Sequence, residues 1–334
     1  MKYTRYARKY LRHLTAIFLL LTIVPGCEKT GYELLDPQSA GIWTLYNTGT
    51  GLPSNQIRDI SGDKAGNLWV NFAGSGTASL DDETWTYYRT TNSDILSNAV
   101  TALGAAPDGT MIIGTTNGLS FISSSGVWDS YKDPAVSTMY INCIKVDSKG
   151  WIWVGTENQG FYVDSGTGFE QIYVSLFANV NAIEEDDAGN VFVGTDNGLL
   201  KWDGAGWSVL TTTEGLAANG VTALMLDSRD RLWIGTSGGL TVSYILRSVV
   251  YNLSLMNGTS GTFVRDIYED RRGHIWFATW FDGLIRYDGV ISHSYKVYNG
   301  FFEDDVNCIG EDSKGNMWFG LYSNGLVKYT LPLE

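Results

Sequence analysis

The sequence predicts an all-β chain folded as a seven-bladed β-propeller, and three observations carry that expectation. The stretch DSKGWIWVGTENQG at 147–160 returns near the end of the chain as DSKGNMWFGLYSNG at 312–325. Aligned on its central residue, the unit occurs seven times, at Trp69, Ile112, Trp153, Phe192, Trp233, Trp276 and Trp318, with spacings of 43, 41, 39, 41, 43 and 42 residues. The last copy also lacks a piece that the N-terminal side of the chain supplies. A repeat of about 40–45 residues built from four short strands describes a propeller blade. Composition agrees: 39 glycines, 19 tyrosines and 12 tryptophans with only 18% charged residues favour strands and turns.

Copy four shows each element in order. Strand A is VNAIEED (Val180–Asp186), and the turn DDAGN leads to strand B, VFVGT (Val191–Thr195). The turn DNG precedes strand C, LLKWD (Leu199–Asp203), and GAG leads to strand D, WSVL (Trp207–Leu210). Asp-x-x-Gly and Asn-Gly supply the turns, because Gly takes positive φ freely and Asx side chains bond nearby backbone. Copies one to six each carry a strand D, such as WTYY at 85–88, but copy seven stops after GLVKYT (Gly325–Thr330). The segment WTLY (Trp43–Tyr46) precedes copy one with no blade of its own. It is expected to complete the last blade, closing the ring and covering two otherwise bare edges.

Residues 1–27 read separately. Lys2, Arg5, Arg8, Lys9 and Arg12 precede the apolar run Leu14–Val24, which is too short for a lasting bilayer span and fits an export signal. The run ends in VPGC, which resembles the bacterial lipoprotein signal with Cys27 as lipid acceptor. The expected organisation is a signal peptide at 1–26, lipidation at Cys27, a tether at 28–40 and a propeller over 41–334. Removing 1–26 leaves 18 of the 23 basic residues against 36 acidic ones, a formal charge of −18. Such a chain is repelled by phosphate backbones, so nucleic acid is not an expected partner.

The repeated Asn-x-Ile start (Asn142–Ile144, Asn181–Ile183, Asn307–Ile309), the Asp-x-x-Gly turn, IWVGT at 152–156 and a following Gly-Leu resemble the two-component regulator propeller repeat. The resemblance covers nearly all of 41–330. It implies an exported propeller from bacteria that degrade glycans, associated with carbohydrate-derived signals. Signalling members continue into transmembrane and kinase segments that do not follow Glu334. The expectation is therefore a stand-alone, monomeric lipoprotein of a Gram-negative cell envelope, held in the outer membrane and facing the periplasm or the surface.

Two faces differ in character. The A-to-B turns are monotonous (DKAGN, DSKGW, DDAGN, DSRDR, DRRGH, DSKGN), and their aspartates read as turn residues, not a metal or catalytic series. The B-to-C and D-to-A connections vary, as grafted function requires. Trp280, Phe281, Phe72, Tyr322 and Tyr140, with Phe177, Phe301 and Phe302, fall there, beside carboxylates such as Glu157. Aromatic rings with nearby amides and carboxylates suit sugar stacking and hydrogen bonding.

Strand A adds a polar ring at Arg58, Thr101, Asn142, Asn181, Thr222, Arg265 and Asn307, expected at the channel mouth and facing water or ligand. Arg58 and Arg265 could clamp a carboxylate or sulfate there, or serve in ion pairs instead. The next slot, Asp59, Ala102, Cys143, Ala182, Ala223, Asp266 and Cys308, holds small residues where blades crowd the axis. Cys143 and Cys308 lie too far apart around the ring for a disulfide. The expected function is non-catalytic binding of a glycan or acidic oligosaccharide on the variable face, without metal or cofactor. A protein-interaction scaffold is one alternative. A glycan-cleaving enzyme is the other: a hydrolase using a carboxylate pair from Glu157, Asp196 and Asp282, or a lyase with a tyrosine such as Tyr140 or Tyr322 as base.

Overall fold

The computed structural model describes residues 32–35, 41–131, 136–172, 179–244, 249–253 and 261–330. Seven antiparallel sheets are present, and in six of them the four strands run in chain order from A to D. The innermost strands pack side by side around the axis, and Val306–Glu311 of blade seven meets Ile57–Gly62 of blade one, so the ring is closed.

The closing strand is Ile42–Tyr46. It pairs with Leu326–Thr330 in the register Ile42↔Thr330 and Trp43↔Tyr329. Its anchor is Trp43, only 4% exposed, with its ring centroid 4.2 Å from that of Tyr329, 5.0 Å from Tyr295 and 5.4 Å from Phe301. The sheet gains a fifth strand, Tyr32–Leu35, from the stretch read as a tether.

Two local devices explain why one unit could be written seven times. In five blades the aspartate of the A-to-B turn accepts backbone N–H bonds and also the indole N–H of the strand B tryptophan. Asp147 to Trp153 is 2.9 Å, Asp227 to Trp233 is 2.7 Å, and the same bond joins Asp63 to Trp69, Asp270 to Trp276 and Asp312 to Trp318. These aspartates are turn residues that also fix the blade's largest side chain. At the other end of strand B, Thr115, Thr156, Thr195, Thr236 and Thr279 turn their hydroxyls onto a carbonyl of the following turn.

Near the axis, strand B carries Gly114, Gly155, Gly194, Gly235 and Gly320 because there is no room for more. A Cβ on Gly155 would sit 2.5 Å from Cys143 Sγ and 2.6 Å from Val180 of the next blade. Cys143 and Cys308 are free thiols packed in this crowded layer.

Candidate ligand-binding site at the axial mouth

Every innermost strand carries a β-bulge, and the bulged residue is the member of the polar ring. In blade one Ile57 pairs with Phe72 and Asp59 with Asn71, leaving Arg58 as the extra residue, and the same shift recurs in the other six blades. A bulge re-aims its side chain. Four of the seven turn to the next blade and donate to a carbonyl at the start of its inner strand, that of the residue just before that blade's own bulge. Asn142 reaches Val180 at 3.0 Å, Asn181 reaches Val221 at 2.9 Å and Asn307 reaches Ile57 at 2.7 Å, while Thr222 bonds Val264. Thr101 bonds Gly114 of its own blade. The expectation that the whole ring faces water or ligand is therefore corrected, because edge-strand carbonyls need donors and the ring supplies them.

The two arginines are the exception. Arg58 is exposed, and among the described residues its guanidinium makes no hydrogen bond or ion pair. Arg265 donates to Asn307 Oδ1, lies 4.5 Å over the Trp280 ring and stands 5.8 Å from the centroid of Tyr322. Burial lowers the affinity of Arg265 for its proton, and the nearby Asp305 carboxylate works against that shift. Phe263 meets Trp280 edge-on at 5.4 Å, and Phe281 stacks on Trp280 at 5.1 Å. Phe281 has φ of +70°, a conformation that costs a bulky residue strain, yet its ring is 69% exposed. Gly74 and Asn158 hold the corresponding loop position in blades one and three at φ of +64° and +66°, and both types tolerate it. Arg58, Arg265, Asn307, Tyr322, Phe263, Asn181, Thr222 and Asp196 together line a cavity of about 310 Å³.

The two component regulator propeller model matches residues 51–72, 135–158, 215–238, 258–281 and 300–323. The chain carries two component regulator propeller repeats. The five matched repeats are the five whose strand B holds a tryptophan bonded to the turn aspartate, whereas the other two hold Ile112 and Phe192. No curated protein sequence matches the chain. Among solved structures, one described as the extracellular domain of a hybrid two component system from B. thetaiotaomicron is 19% identical, with a TM-score of 0.71. That match covers 90% of this chain and 45% of the other. PorZ, a surface component of the type-IX secretion system of Porphyromonas gingivalis, is 16% identical over 90% of this chain and 50% of its own, at a TM-score of 0.67. A catalytically inactive virginiamycin B lyase from Staphylococcus aureus is 15% identical over 87% and 99%, at 0.69. At such identities the likeness is one of fold, and the chain spans less than half the length of the two component system domain it matches.

Within this propeller the residues expected at the site divide clearly. Arg58, Arg265, Asn307, Asn181 and Tyr322 share the cavity, with Trp280 and Phe281 at its edge. Asn142 of blade three is spent on Asn179 and Val180 of blade four. Tyr140 and Glu157 stand beside each other, exposed, with the Glu157 N–H on the Tyr140 carbonyl, and neither lines the cavity.

Phe72 is corrected: it is fully buried against Trp85 and Tyr87, because it ends strand B where other blades place their buried threonine. Phe301 is likewise core, and Phe177 and Cys27 lie outside the described residues. Of the carboxylates weighed for catalysis, Asp196 accepts from Asn179 and Asn181 and Asp282 from Lys296, whereas Glu157 is exposed.

Phe263 and Asp305 escaped the sequence reading. Both occupy the position two before the polar ring, which reads Gln56, Ala99, Tyr140, Asn179, Gly220, Phe263 and Asp305, so tabulating that column would have found them. Among the described residues no cluster of His, Cys, Asp or Glu is arranged to hold a metal, and no helix is long and apolar enough to cross a membrane.

Proposed function

We propose that the protein is an exported, lipid-anchored propeller that binds an acidic oligosaccharide at the axial mouth. The observation that carries this reading is the posture of Arg265, stacked over Trp280 and steered by Asn307, with the unpaired Arg58 lining the same cavity. Two guanidiniums accept a carboxylate or sulfate, and the exposed rings of Trp280, Phe281 and Tyr322 offer faces for the sugar. With Asp196 the cavity lining carries one net positive charge on a chain of formal charge −13, a local exception that favours an anion. The extracellular domain from B. thetaiotaomicron has a similar fold outside a cell, which supports export through residues 1–26, while the anchor rests on the VPGC signal ending at Cys27.

The test is calorimetry of the mature domain against uronate-bearing, sulfated and neutral oligosaccharides of equal length. Binding confined to acidic members, and weakened about tenfold or more by Arg265→Ala, is the expected result. Equal affinity for neutral and acidic sugars would refute the clamp. Mass spectrometry of the processed N-terminus, with Cys27→Ser beside it, tests the anchor.

A further inference from the structure

A second cavity, of about 350 Å³, opens on the hairpin face between blades one and two, at the opposite end of the strands from Arg265. Comparing the blades explains it. The strand C residue directly across from the central strand B residue covers that side chain in six blades, as Phe121, Val163, Lys201, Val242, Arg286 and Lys328. In three of these the cover is a cation over an aromatic ring: Lys201 at 5.6 Å from Phe192, Arg286 at 5.6 Å from Trp276 and Lys328 at 5.5 Å from Trp318. In blade one the residue opposite Trp69 is Ser79. The space that a long side chain fills elsewhere is open here, and Trp69, Ser79 and Tyr88 line it. Tyr88 stacks on Trp69 at 5.3 Å, with its hydroxyl 3.3 Å from the Ser79 hydroxyl.

We propose that this cavity is a binding site for a small organic cation, an alkylammonium or guanidinium, that takes the place of the missing lysine or arginine. Its charged surroundings fit one positive charge: Asp63 and Asp108 stand at the cavity with Lys64, a net charge of −1. Lys64 is drawn off to the Pro107 carbonyl at 2.6 Å. Asp63 already holds Asn67 and Trp69, so its charge acts through space, whereas the exposed Asp108 has an oxygen left to accept from a guest. Backbone hydrogen bonding from Thr110 keeps Asp108 below the usual carboxylate range, so it stays ionised. The ring face attracts the cation and the acidic chain concentrates it. The site owes nothing to the mouth, and its failure leaves the oligosaccharide reading untouched.

Calorimetry with agmatine and putrescine, and with butane-1,4-diol as the uncharged control, tests the assignment. Agmatine is expected to bind the wild type, and the diol not to bind. Ser79→Lys restores the cover used in other blades, and is expected to weaken agmatine roughly tenfold or more while keeping the strand spectrum of the fold. Arg265→Ala is expected to leave agmatine binding as it is. No binding to the wild type at millimolar agmatine, undiminished binding to Ser79→Lys, or equal binding of the diol would each overturn the proposal.

Discussion

Removing the indole of the closing strand, Trp43→Ala, tests how the ring is held. Trp43 is 4% exposed and lies within 5.7 Å, centroid to centroid, of Tyr329, Tyr295, Phe301 and Phe319. Four rigid rings cannot collapse into the vacated volume, so the transfer and cavity contributions both apply, and the loss is about 3–5 kcal/mol. Against a whole-domain stability of roughly 5–15 kcal/mol, that is a large fraction. In a domain of this size it lowers the melting temperature by about 5–8 °C. Urea titration followed by far-ultraviolet circular dichroism gives the free energy, and a melting curve gives the shift. Trp151→Ala is the control, since Trp151 is 37% exposed in a hairpin-face turn, and its loss should cost less than about 1 kcal/mol. A Trp43→Ala protein within about 1 kcal/mol of wild type would show that the closing strand is not what holds the blades to one axis.

Other outcomes follow from particular residues. Phe281→Gly relieves the +70° backbone and should raise stability by about 1 kcal/mol while weakening sugar binding; a loss of stability would mean that the stacking on Trp280 outweighs the backbone strain. Asn71 stands where other blades have glycine or Ala278, fully buried with neither amide atom partnered. Asn71→Ala should therefore stabilise by about 1–2 kcal/mol, and destabilisation would reveal a buried water holding the amide. Asp59 and Asp266 are both raised from 3.8 to about 7, chiefly by desolvation. Between those values the folded chain binds more protons than the unfolded one, so stability falls as pH rises from about 4 to 7. Denaturation at pH 5 and pH 8 measures the difference. Asp59→Asn with Asp266→Asn should shrink it, and an unchanged slope would reject the assignment.

The ring was legible because its period, its turns and the orphan WTLY segment are properties of one dimension. The fifth strand was not, since Tyr32–Leu35 has no turn chemistry to mark it and only the edge it joins makes it a strand. The polar ring was visible as composition but not as geometry: a bulge decides where Asn142 or Asn307 points, and nothing in the residue types announces one. Phe72 misled because blade one ends strand B in NF where four others write GT, so an aromatic at a loop boundary hid a core position. The arginine pair was legible because the two breaks in an otherwise uncharged column fell at Arg58 and Arg265.

The chain of contacts from Arg265 to Asn307 Oδ1, and from Asn307 Nδ2 to the Ile57 carbonyl, runs through blades six, seven and one. Blade seven is the one sheet sewn from both ends of the polypeptide. Arg265 thus stands two hydrogen bonds from the inner junction of blades seven and one, beside the sheet that fastens the circle.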